Sequence, residues 1–206
     1  MADTKRKKSS RKKKRNTKLV KIILLAVLAL GLLALIAVLL QEKAPEPATI
    51  KTYPMEYTDL IRANAAEQEI DPAYVAAIIL AESSYNPNAT SAVNAQGLMQ
   101  IMPDTGAWLA GKFGEEYADG CLYDPETSIR YGCWYLGYLT RRFGGDLTLA
   151  TAAYHSGQGT VDKWLANPLY SANGVKLDVI PGPEAEKYVH RVLNYYEEYK
   201  KLYAED

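Results

Sequence analysis

The feature that most constrains the fold is an uninterrupted apolar run of nineteen residues, Ile22 to Leu40, without a charged or polar side chain. As a helix this run is roughly 28 Å long, close to the hydrocarbon thickness of a bilayer. A core helix that is apolar on every side is the alternative, and the charged flanks argue against it. The run therefore predicts a transmembrane helix, after which about 150 residues remain beyond residue 56, enough for one domain with its own core.

Charge is distributed unequally around this run. Residues 1–21 hold 11 of the 24 Lys and Arg residues and one of the 24 acidic residues. The head is therefore about +10 and the remainder about −10, and the positive-inside rule places the head in the cytoplasm and the remainder outside. A cleaved signal peptide ends at a small-x-small site, whereas this run ends at Leu40-Gln41-Glu42. We predict a basic cytoplasmic head at 1–18 and an uncleaved, single-pass signal anchor in the lipid bilayer at 19–40.

A basic head is also typical of proteins that bind nucleic acid. Its place directly before an apolar run suits membrane topology and anionic lipid better, so no nucleic-acid partner is expected. Residues 41–56 contain three prolines and few large apolar side chains, and they predict a short linker. The domain is predicted over residues 57–206.

The domain shows helical periodicity throughout, and strand alternation is weak, so the predicted fold class is all-α. Asp71-Pro72 predicts a helix N-cap followed by proline at the first helical position. Asp146 predicts a second capped start, and Glu184 to Tyr203 predicts the last and longest helix. The other predicted helix starts are Thr58 or Asp59, Asp104, Thr127 or Ser128, and Val161.

Glu82 ends the apolar helical segment Ala73–Ala81. A carboxylate on an apolar face holds its proton more tightly than one in water, and a general acid at neutral pH needs this property. Most glutamates instead point into solvent. The helix alone does not decide between these two interpretations.

Four sequence blocks occur in order after the start of this helix. They are Glu82-Ser83, Gly97-Leu98-Met99-Gln100, Ala153-Tyr154-His155-Ser156-Gly157 and Tyr188-Val189. Each block alone is a weak signal, but the four in this order and at domain-scale spacing resemble the catalytic domain of lytic transglycosylases. The resemblance covers roughly residues 57–203. It implies a lysozyme-like helical domain that acts on the glycan strands of peptidoglycan.

The resemblance also implies a mechanism with one carboxylate. Ordinary glycosidases use two, and no second carboxylate is evident near Glu82. Glu82 would protonate the oxygen between N-acetylmuramic acid and N-acetylglucosamine, and then accept the proton of the muramic acid C6 hydroxyl as that oxygen closes a 1,6-anhydro ring. An internal nucleophile of this kind has a high effective concentration. Hydrolysis, as in goose-type lysozymes, and a non-catalytic glycan-binding module remain open alternatives, and no cofactor is expected.

The positions of the blocks imply roles for further residues. The residues assigned to substrate binding are Ser83, Gly97, Met99, Gln100, Tyr154, His155 and Tyr188. Tyr188 is expected to donate a hydrogen bond to Glu82, and packing on a helix face is its alternative role. Met99 and Tyr154 either line the groove or pack in the core.

This sequence departs from the family pattern at three positions. His155 and Ser156 stand where the family usually has Asn and Ala, and His155 either donates a hydrogen bond to substrate or is structural. Asn94 stands where the family commonly has Gly. Asn tolerates positive φ better than most residues, so the turn is expected to survive.

Cys121 and Cys133 lie on the predicted outer side of the membrane. They form either a disulfide, which would close a loop of about twelve residues and stabilise by about 3 kcal/mol, or two free thiols. The chain has two histidines, His155 and His190, without metal-ligand spacing, so no metal site is expected. Cell-wall and secretion machinery remain open as protein partners.

Overall fold

The structure is a computed structural model, and it describes residues 31–32 and 52–203. The chain divides into two compact units, residues 1–47 and 48–206. The described part of the second unit contains α1 (Thr58–Gln68), α2 (Pro72–Ser83), α3 (Pro103–Phe113), a 3₁₀ turn (Cys121–Tyr123), α4 (Pro125–Arg142), α5 (Leu147–Ser156), α6 (Gln158–Leu165) and α7 (Pro183–Leu202). Extended pairing in this part is limited to two isolated bridges between residues 90 and 101. The all-α prediction is confirmed.

The predicted head at 1–18 lies outside the described residues, and so does the predicted anchor at 19–40 apart from Gly31 and Leu32, which are helical. In the ranges 31–32 and 52–203, no helix is both long enough and apolar enough to cross a bilayer. The anchor therefore stays a prediction.

Two helices begin where an aspartate caps them, as predicted. The side chain of Asp71 accepts a hydrogen bond from the backbone N–H of Ala73 at 2.9 Å, and Pro72 follows it. Asp146 accepts from the N–H of Leu149 at 3.0 Å. In both cases the cap satisfies one of the backbone donors that a helix start leaves unpaired.

The predicted start of α1 at Thr58 is confirmed, whereas its predicted side-chain cap and the predicted starts of α4 and α6 are wrong. Helix α1 follows Tyr57, which is left-handed and provides no side-chain cap, and the Thr58 hydroxyl donates to the Met55 carbonyl instead. Helix α4 begins at Pro125, because Asp124 caps it by accepting from the N–H of Thr127 at 2.9 Å. Helix α6 begins at residue 158, directly after α5, rather than at residue 161.

Helix α2 is the centre of the core. All of its residues from Ala73 to Ile79 are buried, and the helix packs against α7 and α1. The Tyr74 hydroxyl and the Thr151 hydroxyl are 2.7 Å apart, so a buried hydrogen bond joins α2 to α5. Because α2 is fixed on several sides, its C-terminal end is a rigid place for a functional side chain.

The segment before α1 packs against the last helix. The Tyr199 hydroxyl donates to the Pro54 carbonyl at 2.5 Å, and the Tyr203 hydroxyl donates to the Tyr53 carbonyl at 2.8 Å. The ring of Tyr53 lies 5.6 Å from that of Tyr199, edge to face. The domain's packing therefore extends several residues before the predicted boundary at residue 57, because aromatic residues of α7 bind this segment through both their rings and their hydroxyls.

Candidate active site

Glu82 lies in the last turn of α2, half-buried at the edge of the core. Burial raises the pKa of its carboxyl from an ordinary value of 4.5 to about 7, while the Tyr188 hydrogen bond and the positive charge of Arg191 act in the opposite direction. The carbonyl end of a helix also disfavours a carboxylate. A large fraction of Glu82 is therefore protonated at neutral pH, as a general acid requires.

Helix α2 ends directly after this residue. Ser84 and Tyr85 both have left-handed backbone conformations, with φ of 51° and 63°. Tyr85 is buried, and its hydroxyl oxygen lies 3.3 Å from that of Tyr199, within hydrogen-bonding distance. Non-glycine residues in this region are strained and persist only where the surroundings hold them, so packing against α7 fixes the turn beside Glu82.

Tyr188 positions the Glu82 carboxyl. Its hydroxyl donates to Oε1 of Glu82 at 2.5 Å, and the residue is buried on α7. Burial and the Glu82 charge keep the pKa of Tyr188 well above its usual range, so the tyrosine remains a donor. The expected hydrogen bond between these two residues is therefore present in the structure.

His155 and Arg191 both contact the ring of Tyr188. The His155 ring stacks on it with centroids 4.3 Å apart and planes 17° apart. The Arg191 guanidinium lies 5.5 Å from the same centroid. Partial desolvation, followed by the Arg191 charge, lowers the pKa of His155, so neutral imidazole is favoured beside the site. His155 is therefore linked to Glu82 through the ring and the hydroxyl of Tyr188.

The loop formed by residues 97–101, the 97–101 loop, is fixed to the helices around it. The Ser83 hydroxyl donates to the Leu98 carbonyl at 2.8 Å. The Tyr154 hydroxyl donates to the Met99 carbonyl at 2.9 Å, and the Met99 N–H donates to the Ser128 hydroxyl at 3.3 Å. Helices α2, α5 and α4 thus each provide one hydrogen bond to this loop.

Gly97 and Gln100 shape the same loop. Gly97 has φ +74°, and a Cβ there would lie 1.8 Å from the Leu122 carbonyl oxygen, so only glycine fits. Gln100, with φ +48°, donates through its side-chain amide to the carbonyls of Gly97 at 2.9 Å and Ala89 at 3.1 Å. The side-chain amide of Gln100 and the carbonyl of Gly97 therefore make hydrogen bonds that hold the loop in this conformation.

Comparison with known proteins fits this arrangement. The family model described as the transglycosylase SLT domain matches residues 59–172, more than half of the chain. The chain belongs to this family. The match covers Glu82, the 97–101 loop and His155, and it ends before Tyr188.

Relatives of this SLT domain include soluble and membrane-bound proteins. It is 39% identical over 146 residues to the soluble lytic murein transglycosylase of Escherichia coli K12, with 69% of this chain and 23% of the relative aligned. It is 29% identical over 170 residues to the membrane-bound lytic murein transglycosylase C of Edwardsiella ictaluri, with 71% of this chain and 47% of the relative aligned. The chain therefore spans about a quarter of the length of the soluble relative.

Solved structures give the same assignment of fold. The 70 kDa soluble lytic transglycosylase of E. coli superposes with a TM-score of 0.65 at 35% identity, covering 72% of this chain and 25% of the other. A second solved structure is an inactive mutant of the lytic transglycosylase Slt from Pseudomonas aeruginosa, in which a glutamate is replaced by glutamine. It superposes with a TM-score of 0.65 at 34% identity, covering 72% of this chain and 24% of the other. The helical domain therefore has the lytic transglycosylase fold.

The structure shows the surroundings of the predicted substrate-binding residues. Tyr188 and His155 lie at the Glu82 carboxyl and its supporting ring. Met99 is fully buried, and a Cβ on Gly132 would lie 2.1 Å from its sulfur, so Met99 packs in the core rather than lining a groove. The polar groups of Ser83, Gly97, Gln100 and Tyr154 make the internal hydrogen bonds described above. Asn94 adopts φ 67°, so the expected left-handed turn survives there.

One residue beside the site, Arg191, was not predicted from sequence. Arg191 lies on α7 three residues after Tyr188, and the i, i+3 spacing on one helix face could have indicated it. Met102 is 40% exposed, whereas Met99 is buried. Met102 is the N-cap residue of α3, and Pro103 follows it at the first helical position.

The cysteines are free thiols in this structure. Cys133 is buried and Cys121 half-buried. Burial raises the pKa of the Cys121 thiol and takes that of Cys133 far above its usual range, so neither is activated as a nucleophile. Within the described ranges, no three His, Cys, Asp or Glu side chains converge as metal ligands would.

Proposed function

We propose that this protein is a membrane-anchored peptidoglycan lytic transglycosylase in which Glu82 is both the general acid and the general base. The observation that carries this proposal is a single half-buried carboxyl with a pKa of about 7, held by the hydroxyl of Tyr188. The names of the relatives supply the substrate, murein, and the type of reaction. The inactive mutant of the P. aeruginosa relative supports the importance of a glutamate in this family.

The surroundings of Glu82 favour one carboxylate over two. Among the described residues, the charged group that perturbs its pKa is Arg191, and no second carboxylate does so. A retaining or inverting glycosidase would need a partner carboxylate within about 5–10 Å, where the two groups affect each other's ionisation. The intramolecular route, in which the substrate's own C6 hydroxyl attacks, needs no such partner.

The two proton transfers follow from this protonation state. Protonated Glu82 donates to the glycosidic oxygen as the bond to C1 of N-acetylmuramic acid breaks, and becomes a carboxylate. The Tyr188 hydroxyl stabilises that carboxylate, because hydrogen bonds to charged groups are the stronger ones. The carboxylate then accepts the C6 hydroxyl proton as that oxygen bonds to C1. Glu82 returns to its protonated state, and no water enters the product.

The location is the second part of the proposal. The uncharged run Ile22–Leu40 and the basic head support an anchor with the catalytic domain on the wall side of the membrane. Protease treatment of intact cells, or of spheroplasts if an outer envelope blocks access, tests this topology. The domain should be digested while the head stays protected, and digestion of the head alone would overturn the orientation.

Product analysis tests the chemistry. The full chain in detergent is incubated with purified peptidoglycan, and the soluble products are examined by mass spectrometry. The expected products carry 1,6-anhydro ends and are lighter by one water than hydrolysis products. Glu82→Gln should release neither. Reducing ends from the unaltered chain would establish a goose-type hydrolase instead, and absence of any cleavage would leave a glycan-binding module.

A further inference from the structure

An aromatic cluster lies beside the site without a role in the proton transfers. Trp108 on α3 has ring centroids 5.5 Å from Trp134, 6.0 Å from Tyr135 and 6.0 Å from Tyr138, all of them on α4. The contacts are edge to face, the geometry that aromatic rings prefer. Despite these three contacts, Trp108 remains 38% exposed. The side chain is thus held rigidly and still presents apolar surface to solvent.

This exposure stands out within the described part of the chain. The large hydrophobic side chains exposed there are otherwise aliphatic or methionine. A single exposed aliphatic side chain is ordinary, whereas an exposed tryptophan fixed in place by other rings is typical of a binding surface. Trp108 also borders a groove of about 330 Å³, which is near the lower limit for small-ligand sites.

The groove combines this aromatic surface with polar groups. It is lined by Asp104, Thr105, Trp108, Tyr135 and Gln158. On α3, Asp104 and Thr105 lie one turn before Trp108, on the same helix face. Within the described residues, neither of these two side chains is engaged in a hydrogen bond.

Gln158, a further polar residue of the groove, uses only one end of its side-chain amide in a hydrogen bond. The Gln158 side-chain oxygen accepts from the Tyr138 hydroxyl at 2.9 Å, which leaves its NH₂ group available to a ligand. Carboxylate, hydroxyl and amide groups beside an aromatic ring are complementary to a pyranose, which has an apolar face and a rim of hydroxyl and N-acetyl groups.

The groove lies next to residues of the candidate active site. Gln158, which lines it, is three residues after His155, and Asp104 is three residues after the 97–101 loop. Tyr135 lines the groove, and its ring lies 5.6 Å from that of Tyr154. Tyr154 is bonded to the 97–101 loop and is followed by His155, whose ring stacks on Tyr188. The groove is therefore built next to the elements that hold Glu82, which brings it within reach of a polymer bound at that carboxyl.

We infer that the Trp108 groove is a distal glycan subsite that binds one N-acetylhexosamine of the same strand whose neighbouring bond Glu82 cleaves. This inference rests on the proposed function, because it takes the strand from that reaction. Trp108 provides the surface for the apolar face of the sugar, while Asp104 and Gln158 bind its polar rim. The subsite holds the strand in register and adds affinity at a point remote from the bond that breaks.

The observations favour a sugar over a second protein at this groove. A protein interface needs on the order of 800 Å² per partner with an apolar centre. Here one exposed ring is bordered by a carboxylate, a hydroxyl and a free amide, and Lys112 lies 5.2 Å from the Trp108 ring. This polar rim around one ring matches a single sugar residue.

The test measures affinity for chitohexaose, the hexamer of N-acetylglucosamine, by calorimetry. The full chain in detergent carries Glu82→Gln, so that no turnover occurs. Trp108→Ala in this background should weaken binding about tenfold, the effect of losing one aromatic contact of about 1.4 kcal/mol. Gln158→Ala, which leaves the aromatic cluster in place, should weaken binding about threefold. Leu169→Ala removes a side chain that is 79% exposed elsewhere, and should change nothing.

A second measurement locates the sugar directly. Acrylamide quenching of tryptophan fluorescence should fall when chitohexaose is added, because the sugar covers Trp108. This protection should persist in Trp164→Phe and disappear in Trp108→Phe. Loss of protection in both variants, or in neither, would overturn the assignment to Trp108.

The remaining outcomes separate the two hypotheses. Unchanged chitohexaose affinity in both Trp108→Ala and Gln158→Ala, in a protein whose Glu82 form still cleaves peptidoglycan, refutes the subsite alone. No binding and no cleavage by the unaltered chain refutes the proposed function. If sedimentation shows that the unaltered chain self-associates and Trp108→Ala does not, the face is a protein interface and the subsite is wrong.

Discussion

Replacing Tyr188 by phenylalanine isolates the group that controls the acid. The change removes one hydroxyl, the donor that lies 2.5 Å from Oε1 of Glu82, and keeps the ring on which His155 stacks. Burial still raises the pKa of Glu82, but the opposing hydrogen bond is gone. The pKa of Glu82 should therefore rise further in Tyr188→Phe.

The magnitude follows from the strength of the lost bond. A hydrogen bond to a charged group contributes about 1.5–3 kcal/mol, and 1.36 kcal/mol corresponds to one pH unit. Because Glu82 is only half-buried, water replaces part of this bond, and a rise of about one pH unit is expected. Loss of this hydrogen bond at the transition state should also lower kcat/KM by about 10- to 100-fold. This decrease is measured at acidic pH, where Glu82 is protonated in both the unaltered chain and Tyr188→Phe.

The assay is the pH profile of kcat/KM for peptidoglycan digestion between about pH 5 and pH 9. Glu82 must be protonated in the free enzyme, so activity of the unaltered chain should fall as pH rises above about 7. In Tyr188→Phe this fall should occur about one pH unit higher, although the maximum rate is lower.

Tyr154→Phe is the matched control for this experiment. It removes a hydroxyl from the same region, but that hydroxyl donates to the Met99 carbonyl rather than to Glu82. Its rate is expected to fall without any movement of the high-pH limb. A high-pH limb that stays in place in Tyr188→Phe would refute the reasoning, since it would show that the Tyr188 hydroxyl does not stabilise the Glu82 carboxylate.

Three further predictions concern stability and charge. Folding raises the pKa of Glu82, so its contribution to stability is fully present below pH 4.5 and is lost as pH rises to about 7. In urea unfolding, Glu82→Gln should therefore stabilise the protein by up to about 3 kcal/mol at pH 8 and leave it unchanged at pH 4. Gly97→Ala should destabilise the protein by more than about 3 kcal/mol, because the added Cβ meets the Leu122 carbonyl. Gly114→Ala, also at positive φ but in open space, should destabilise it by only about 1 kcal/mol. Equal losses of stability in thermal unfolding of the two variants would contradict the packing argument. Arg191→Gln removes a positive charge that lowers the pKa of Glu82. The high-pH limb of the kcat/KM profile should therefore move to higher pH and depend less on salt concentration. A shift of this limb to lower pH would contradict that role of Arg191.

Local capping chemistry explains which helix starts could be predicted. Asp71 and Asp146 cap their helices through their own side chains, so the sequence contains the whole signal. Helix α1 begins at Thr58 as predicted, but neither Thr58 nor Asp59 caps it, because left-handed Tyr57 precedes the helix without a side-chain cap. At α4 the signal was present but one turn earlier, in Asp124, and the proline after Asp124 marks it as clearly as the one after Asp71.

The candidate site was only partly accessible from sequence for a different reason. The blocks identified Glu82 and Tyr188, but the burial that raises the pKa of Glu82 depends on α7 returning to α2, which no local pattern contains. Whether Met99 lines the groove or packs in the core likewise depended on tertiary packing. Met99 fills the space left by Gly132 and Met102 stays in solvent, although both belong to the same stretch of sequence.

The hydrogen bond between Tyr188 and Glu82 joins residues 106 positions apart in the chain. Such a contact cannot form before the intervening chain has been made, and it costs the entropy of closing that loop. During synthesis, Glu82 is therefore an ordinary glutamate without its donor until α7 emerges and docks on α2. A chain that is still being made, or one cut before α7, lacks this donor, so under the proposed mechanism cleavage requires nearly all of this domain to have folded.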